Sequence, residues 1–360
     1  MSKERFKSFL LKIKSFFSRY SVIVGSVIII PTLLYSVRYL FADEYYYNNL
    51  YFEGEQLNNI DPSTFKVTKI KPLTKIMNIS SYNNYQGGSC YQNYYAIAGN
   101  NFECVLIYDM ATYKVEHAIF TNQINTTYHC NTIFFGSDFY SSYDKFPVLY
   151  MSQETSDVPK TIACRIVEKG GVDSIEVVQH IELVLDEKDR IYYPNSYYDH
   201  DYGLLYYGGY TKKSYMRSDD NFLKFYCFRM PDLRVQHTVL TSDDILDSFT
   251  IPSETATQGG FVSHGYLYQS YAGLSEAVAP FTKPTEYPKL MIIDLNKGEI
   301  VYKVEDLRIY GEGTAANEEF ENIAVSSDGR IFASGNTHFK IYQFEFEAQL
   351  IIPDDEESSE

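Results

Sequence analysis

Residues 86–119, QGGSCYQNYYAIAGNNFECVLIYDMATYKVEHAI, combine short apolar segments with turn-forming residues between them. Segments at 95–99, 105–109 and 114–119 each have the length of an ordinary β-strand. Tyr, Ile and Val are frequent in them, and these residue types favour the pleated, half-buried surface of a sheet. With a further short strand directly after Gln86, the stretch predicts a four-stranded unit.

The same pattern returns later in the chain. Its clearest second copy starts at Gln258, where QGG recurs at 258–260 and apolar segments follow. Weaker copies start at His129, Asn195 and Glu321, so the five starts are 43, 66, 63 and 63 residues apart. Four strands per unit at a nearly fixed period is typical of β-propeller blades. We therefore predict an all-β protein, a β-propeller of about five four-stranded blades, with six remaining open.

The last copy has no convincing fourth strand before the end of the chain. Residues 64–72, TFKVTKIKP, form an isolated strand pattern ahead of the first copy. Pairing this strand with the last copy would close the ring and remove its exposed edges. The propeller is thus predicted to span 64–350, and an open β-sandwich or two smaller β domains are the alternatives.

The first 63 residues differ in character from the rest. A basic leader, 1–20, precedes an apolar segment, 21–41, in which Arg38 is the only charged residue. That length is close to the roughly 20 residues that span a bilayer, and the basic leader favours a cytoplasmic N-terminus. We predict a single-pass transmembrane anchor, followed by a juncture at 42–63, with the body in the periplasm or at the cell surface. A cleaved signal peptide is the alternative.

Charge is divided unequally along the chain. Residues 1–42 carry a net charge of +6, and the remainder, which ends in an acidic tail at 351–360, carries −22. A body this acidic lacks the basic footprint that nucleic acids require, so we predict no nucleic-acid partner.

Five cysteines are spread over the body. Cys104, Cys164 and Cys227 fall on the third strand of successive copies, and Cys90 falls near the first strand of its own copy. Cys90 and Cys104 would then lie two strands apart, beyond the reach of a disulfide. We predict five buried free thiols.

Residues 321–332, ENIAVSSDGRIF, resemble the blade opening of bacterial exported β-propellers of the TolB-like and NHL-like types. Other copies contain IYD at 107–109 or IIDL at 292–295, which are similar to strand ends in that family. The resemblance covers most of residues 64–346 and implies an exported propeller. It implies no particular activity, since such propellers include enzymes, ligand binders and assembly platforms.

One polar residue opens each of the five copies, and these are Gln86, His129, Asn195, Gln258 and Glu321. Because the first strand of a blade lines the central axis, equivalent positions should converge there. We predict that any ligand binds at this channel mouth, with Glu154, Lys212 and Asn336 nearby on loops. Glu321 and His129 are suited to bind a cation or an amine, or to act as acid and base. The alternative is that the five side chains cap strand ends and bind ordered water.

Motifs for chemistry are weak, so we predict no metal and no cofactor, and we assign no catalytic residue. His129 and Cys130 form the best candidate metal pair, but a structural role is favoured. A tyrosine cluster could stack on sugars or pack between blades, and its members are Tyr192, Tyr193, Tyr197, Tyr198, Tyr206 and Tyr207.

Two functional classes remain open. The first is a binding or interaction module for a small molecule, a glycan or a protein partner. The second is a propeller-type enzyme, a hydrolase, lyase or cyclase, with its active site at the channel mouth. A deep mouth with a carboxylate of raised pKa would favour the enzyme. A flat or plugged mouth with an exposed aromatic patch would favour binding.

Overall fold

The structure is a computed structural model that describes residues 57, 60–79, 84–121, 129–153, 159–169, 172–214, 218–254, 256–272 and 287–351. Short 3-10 helices lie between its strands at Pro62–Thr64, Glu187–Asp189, Ser242–Asp244, Leu307–Tyr310 and Gly313–Asn317. The strands of these ranges are β1 (Lys66–Lys75), β2 (Tyr85–Tyr91), β3 (Tyr94–Gly99), β4 (Cys104–Asp109), β5 (Lys114–Phe120), β6 (Ile133–Phe135), β7 (Leu149–Gln153), β8 (Lys160–Lys169), β9 (Val172–Val184), β10 (Tyr192–Asp199), β11 (Leu204–Tyr210), β12 (Phe222–Arg229), β13 (His237–Thr241), β14 (Asp247–Pro252), β15 (Thr257–Ser263), β16 (Tyr266–Tyr271), β17 (Lys289–Asp294), β18 (Glu299–Val304), β19 (Ala324–Val325), β20 (Ile331–Gly335) and β21 (Lys340–Glu347).

These strands form five sheets, which are the blades of a β-propeller. Blade 1 is β2-β3-β4-β5, blade 3 is β10-β11-β12-β14 and blade 4 is β15-β16-β17-β18. Blade 2 is built on β6-β7-β8-β9, and blade 5 has the order β19-β20-β21-β1. The predicted all-β propeller is confirmed, and its blade number is five.

Apolar layers lie between neighbouring blades, because each central strand buries both of its faces. In β4, Val105 and Ile107 pack against blade 2, whereas Leu106 and Tyr108 pack against blade 5. Similar clusters join blades 2 and 3, 3 and 4, and 4 and 5. Five layers for five blades make a closed ring, which excludes an open sandwich. Each large side chain fully buried in this way contributes about 1.5–3 kcal/mol.

The N-terminal strand completes blade 5, as predicted from residues 64–72. Strand β1 pairs antiparallel with β21, and Ile70 lies opposite Phe344. Val67 and Ile70 are buried in the layer between blades 4 and 5. The amide of Asp61 also donates a 2.8 Å hydrogen bond to the carbonyl oxygen of Gln349. The ring is therefore closed by pairing the two ends of the propeller.

Blade 2 has the four predicted strands and one additional strand. Strand β13, from the connection between β12 and β14 of blade 3, pairs in parallel with β9 and becomes a fifth strand. Gln179 holds this connection in place, since its Nε2 donates hydrogen bonds of 2.8 Å to the carbonyl oxygens of Asp232 and Val235. The sequence did not predict this additional strand, because a short strand does not encode in its own sequence which sheet it joins.

The five cysteines and several members of the tyrosine cluster are buried in the interior. All five cysteines are buried free thiols, and Cys104, Cys164 and Cys227 lie on the third strands of blades 1, 2 and 3. In the tyrosine cluster, Tyr197 and Tyr207 are fully buried between blades. Packing between blades, rather than a sugar-stacking surface, accounts for these buried members.

The predicted anchor at 21–41 lies outside the described residues, as do the leader and most of the acidic tail. Within the described ranges, no helix is both long enough and apolar enough to cross a bilayer.

Candidate functional site

The innermost strands of the five blades surround the propeller axis. Strand β2 contacts β6 and β19, while β10 contacts β6 and β15, and β15 in turn contacts β19. Each blade therefore presents its first strand to the two neighbouring first strands. Polar residues at the beginning of these strands form the candidate site.

The five predicted residues all lie at or just before a first strand. Gln86, Asn195 and Gln258 lie within β2, β10 and β15, at irregularities in the pairing with the second strand. His129 and Glu321 precede β6 and β19. Irregular pairing of this kind changes the direction in which a side chain points, compared with a regular sheet. Three of the five residues that open the copies therefore lie within the first strand of their blade rather than before it.

Hydrogen bonds connect the segments that carry these residues. Glu321 accepts a side-chain hydrogen bond from Gln86, and its carbonyl oxygen accepts one of 2.8 Å from the amide of Gly259. Asn195 Nδ2 donates to Thr257 Oγ1 at 3.2 Å, directly beside Gln258. These bonds join blades 3, 4, 5 and 1 in sequence around the axis.

The segment that carries His129 is joined to this ring through the main chain. The amide of Gly87 donates a 2.9 Å hydrogen bond to the carbonyl oxygen of Cys130. Asn131 Nδ2 donates to the carbonyl oxygen of Thr257 at 3.3 Å, which connects blade 2 with blade 4. All five segments therefore meet around the axis.

Two glycines allow main chains of different blades to approach closely around the axis. A Cβ atom at Gly259 would lie 2.7 Å from Cβ of Asn322 and 2.8 Å from the carbonyl oxygen of Asn131. A Cβ atom at Gly87 would lie 2.8 Å from the amide nitrogen of Ile133. No larger residue fits at these distances. The axis is thus bridged at this level by packed main chain, which corresponds to a plugged rather than a deep mouth.

Four of the predicted residues carry a buried oxygen that has no hydrogen-bond partner among the described residues. These atoms, which we call the axial acceptors, are Gln86 Oε1, Asn195 Oδ1, Gln258 Oε1 and Glu321 Oε2. Their side chains come from four blades, and each residue is no more than 7% exposed. An unsatisfied buried polar group costs about 1–3 kcal/mol. Ordered water or a ligand with hydrogen-bond donors would satisfy these four acceptors.

Carboxyl groups gather beside the axial acceptors. Glu319 and Glu321 are two residues apart in an extended segment that runs antiparallel to residues 334–336. Burial, followed by the charge of Glu319, raises the pKa of Glu321 well above its ordinary value. Burial and the charge of Glu318 raise the pKa of Glu319 to about 7. The pair therefore exchanges a proton with solvent near neutral pH.

Glu318 has a structural role in this segment. Its buried carboxylate accepts hydrogen bonds from the amides of Thr337 at 2.7 Å and His338 at 3.2 Å. The hydroxyl of Tyr342 donates to the same carboxylate. These contacts fix the start of the segment, so that Glu319 and Glu321 are held next to blade 1.

His129 is not a cation at neutral pH. Burial lowers its pKa to about 4, because the imidazolium loses hydration in the interior. An acid–base partnership of His129 with Glu321 would therefore start from neutral imidazole. Cys130 is fully buried, and burial raises the pKa of its thiol. Neutral imidazole is the form that binds metals, whereas a protonated thiol is not, so Cys130 lacks the thiolate that this candidate metal pair would need.

The sequence did not predict Glu319, Asn84 or Asn322 in this site. Asn84 Oδ1 accepts hydrogen bonds from the side-chain amides of Gln86 and Asn336. The run EEFE at 318–321 was an available signal, since three acids just before a first strand are unusual in a buried position. Asn336 lies beside Glu321, as expected.

Lys212 and Glu154 were also expected near the mouth. No contact among the described residues brings either of them into the site. Lys212 pairs instead with Asp220 on the surface. Glu154 is outside the described residues.

Within the described ranges, no group of three or more His, Cys, Asp or Glu side chains is placed to hold a metal ion. The axial acceptors themselves are mostly amide oxygens.

No protein-family model matches this chain, and no curated protein matches it in sequence. Among solved structures, glutaminyl cyclase of Myxococcus xanthus is similar with 10% identity and a TM-score of 0.39, over 79% of this chain and 97% of that one. A chain of a nidogen–laminin complex is similar with 9% identity and a TM-score of 0.32, over 61% of this chain and 63% of that one. At these values the likenesses carry no argument about function.

Proposed function

We propose that this propeller is a binding module that takes a small ligand with N–H donors or a positive charge at the axial acceptors. The observation that carries the proposal is the set of four buried oxygens without partners, contributed by blades 1, 3, 4 and 5. Three of the four atoms are amide oxygens, which only accept hydrogen bonds, and the Glu321 oxygen joins them as an acceptor once its carboxyl group is ionised. A protonated amine supplies up to three donors on one atom, which makes it the simplest complement to such a ring.

Charge supports an amine over a neutral ligand. Glu319 is only half-buried beside Glu321, so its carboxyl group is accessible to a ligand that approaches the axis. A cation would favour the ionised form of these groups. Proton release on binding is therefore part of the proposal, and the affinity should rise as the pH increases through about 7.

The bridged axis also supports binding. Main chain packed around Gly259 limits the depth of the site, so a ligand would lie on this floor rather than pass through the ring. Burial of Tyr197, Tyr206 and Tyr207 removes the main support for a glycan that stacks on aromatic rings.

Placement outside the cytoplasm is part of the same proposal. Its support is the basic leader followed by the uncharged apolar run at 21–37, together with the resemblance of 321–332 to exported propellers of the TolB-like and NHL-like types. A propeller displayed in this way would meet ligands in the periplasm or at the cell surface.

A matched pair of probes tests the binding proposal. Putrescine and 1,4-butanediol have the same length, but only the diamine is charged at neutral pH. Calorimetry on the full chain should show binding of putrescine and none of the diol. Glu321→Gln should lower the affinity for putrescine at least tenfold.

Glu299→Gln is the control, since Glu299 is exposed on the outer strand of blade 4. This variant should bind putrescine like the wild type. Equal affinity of Glu321→Gln and the wild type, or equal binding of the diol, would show that the acceptors hold only ordered water.

The coupled carboxyl pair supports a second candidate function, a propeller-type enzyme. A carboxyl group with a pKa of about 7 can both accept and donate a proton at neutral pH, as Glu319 could beside Glu321. The test is turnover of amine-containing substrates, such as hydrolysis or cyclisation, monitored by mass spectrometry. Binding of an amine that is recovered unchanged would favour the binding module over the enzyme.

A further inference from the structure

Strand β13 is the outermost strand of blade 2, and no other strand of the described ranges pairs with its far side. The amide of His180 donates a 2.8 Å hydrogen bond to the carbonyl oxygen of Gln236, one position before His237, which is the partner of His180. In a parallel ladder this turns the main-chain N–H and C=O of His237 away from β9. Val239, two positions later, has the same orientation. The outer edge of blade 2 therefore presents the main-chain donors and acceptors of both residues.

The outermost strands of the other four blades contain residues that discourage pairing with a further strand. Strand β1 contains Pro72 and several lysines, and β5 begins with Lys114. Strand β14 ends with Pro252, and β18 contains Lys303. Lysine and proline on an edge strand protect it against edge-to-edge association. Strand β13, HTVLT, has no Lys, Asp, Glu or Pro, so the edge of blade 2 lacks this protection.

Apolar side chains accompany this edge. Val239 lies on β13, and Val184 is in the last pair of β9 with β13. These two, together with Val235 and Leu246 in the adjoining segments, are between 43% and 55% exposed. Leu240 points to the other face of β13 and is buried between blades 2 and 3. A partner strand at the edge would remove the exposed apolar side chains from water.

The two ends of the β13 segment carry opposite charges. Arg234 precedes the strand and Asp244 follows it, each five positions from Val239. Both side chains are exposed, and that of Arg234 is 82% exposed. Antiparallel pairing of two copies around a two-fold axis at Val239 brings Arg234 of each copy towards Asp244 of the other. The segment is thus complementary in charge to a second copy of itself.

We propose that two copies of this chain associate through β13, which pairs antiparallel with β13 of the second copy. The two five-stranded sheets of blade 2 then continue into one another. Val239 faces Val239 of the second copy in a hydrogen-bonded pair, with the two Cα atoms about 5.5 Å apart. Because a two-fold contact uses the same surface on both copies, it closes at a dimer and does not extend into a fibre.

This interface leaves the ligand site at the axis accessible. Strand β13 is outermost in its sheet, whereas the axial acceptors lie on or next to the innermost strands. A dimer would therefore display two axial sites, and the proposal does not depend on what those sites bind.

Val239→Cys tests the register in the full chain. All five natural cysteines are buried, so the new thiol is the one that an oxidant reaches first. A disulfide joins Cα atoms up to about 7 Å apart, which includes the expected separation. Mild oxidation with copper phenanthroline should convert most of this variant into a covalent dimer on a non-reducing gel. Val184→Cys, at a similarly exposed position of β9, is the matched control and should stay monomeric.

Val239→Pro separates association from folding. The N–H of Val239 points away from β9, so its loss leaves the pairing with β9 intact, whereas proline blocks a further strand. Light scattering at about 100 µM should give the mass of a dimer for the wild type and of a monomer for Val239→Pro. The melting temperature of the variant should be nearly unchanged. Val239→Thr keeps the N–H and should dimerise like the wild type.

Arg234→Glu tests the charge contact without a change in the strand. Repulsion from Asp244 of the second copy should raise the dissociation constant of the dimer about tenfold. Lys297→Glu reverses another exposed charge, on blade 4, and should leave the dissociation constant unchanged.

Three results would overturn the proposal. The first is a wild-type chain that is monomeric at the highest concentration. The second is a dimer that persists in both Val239→Pro and Arg234→Glu, because the copies would then meet through another surface. The third is equal cross-linking of Val184→Cys and Val239→Cys.

Discussion

Asn322 donates a hydrogen bond from its side-chain nitrogen to the carbonyl oxygen of Gln86, which joins blade 5 to blade 1 at the axis. The same side chain accepts a hydrogen bond from the hydroxyl of Tyr95 and donates one to Ser334 Oγ. Asn322 is fully buried. One amide group therefore links blade 5, in which the two ends of the propeller pair, to blade 1.

Asn322→Ala should destabilise the protein strongly, because the buried carbonyl oxygen of Gln86 and the buried hydroxyl of Tyr95 lose the hydrogen bonds that Asn322 makes with them. We expect a loss of about 2–4 kcal/mol in the free energy of unfolding, measured by urea denaturation. Asn317→Ala is the control, since Asn317 is exposed, and it should change stability by less than about 0.5 kcal/mol. Similar losses in both variants would argue against a special role of Asn322.

Removal of strand β1 should open the ring. Deleting 64–72 takes away the partner of β21 and the buried side chains of Val67 and Ile70, so we expect aggregation in size-exclusion chromatography. Deleting 354–360 should leave the elution volume and melting temperature nearly unchanged. A soluble, monomeric product of the first deletion would contradict closure by β1.

Stability should depend on pH through Glu319. Its pKa of about 7 in the folded protein exceeds its ordinary value of 4.5, so the folded state binds more protons between these pH values. Tighter proton binding by folded Glu319 therefore contributes to stability. This contribution is complete below about pH 4.5 and is lost as the pH rises through 7. Glu319→Gln should stabilise the protein at pH 8 by about 1–3 kcal/mol and flatten the pH profile between 5 and 8. A profile equal to that of the wild type would contradict the raised pKa.

The cysteines should be inert until the protein unfolds. Burial raises the pKa of Cys104 to about 12 and raises those of the other four thiols. A thiol-specific reagent at pH 8 should label none in the folded protein and five in denaturant without reductant. Labelling of one or three in denaturant would reveal a disulfide.

Much of the propeller was predictable because its blades repeat. Gln86 and Gln258 begin equivalent copies, and the structure places both on first strands next to the axis. The role of β1 was also predictable, since a ring with one incomplete blade needs a strand from elsewhere. Both inferences depend on the repeat period, which can be read directly from the sequence.

Other features depend on distant contacts that no local pattern contains. The segment 237–241 reads as an ordinary short strand, and only packing of Leu240 with Leu183 shows that it belongs to blade 2. Of the carboxyl pair, the sequence predicted Glu321 as a site residue but not Glu319. Glu321 opens a copy, but the raised pKa of Glu319 arises from burial by other segments.

Addition of β13 to blade 2 also has a consequence for the order of synthesis. Residues of β9 leave the ribosome more than fifty positions before their partners at 237–241, with the first three strands of blade 3 between them. Blade 2 therefore cannot reach its final form until most of blade 3 has been made. A nascent chain that stops after β9 would present an unpaired strand edge, so these two blades should assemble as one cooperative unit during translation rather than one after the other.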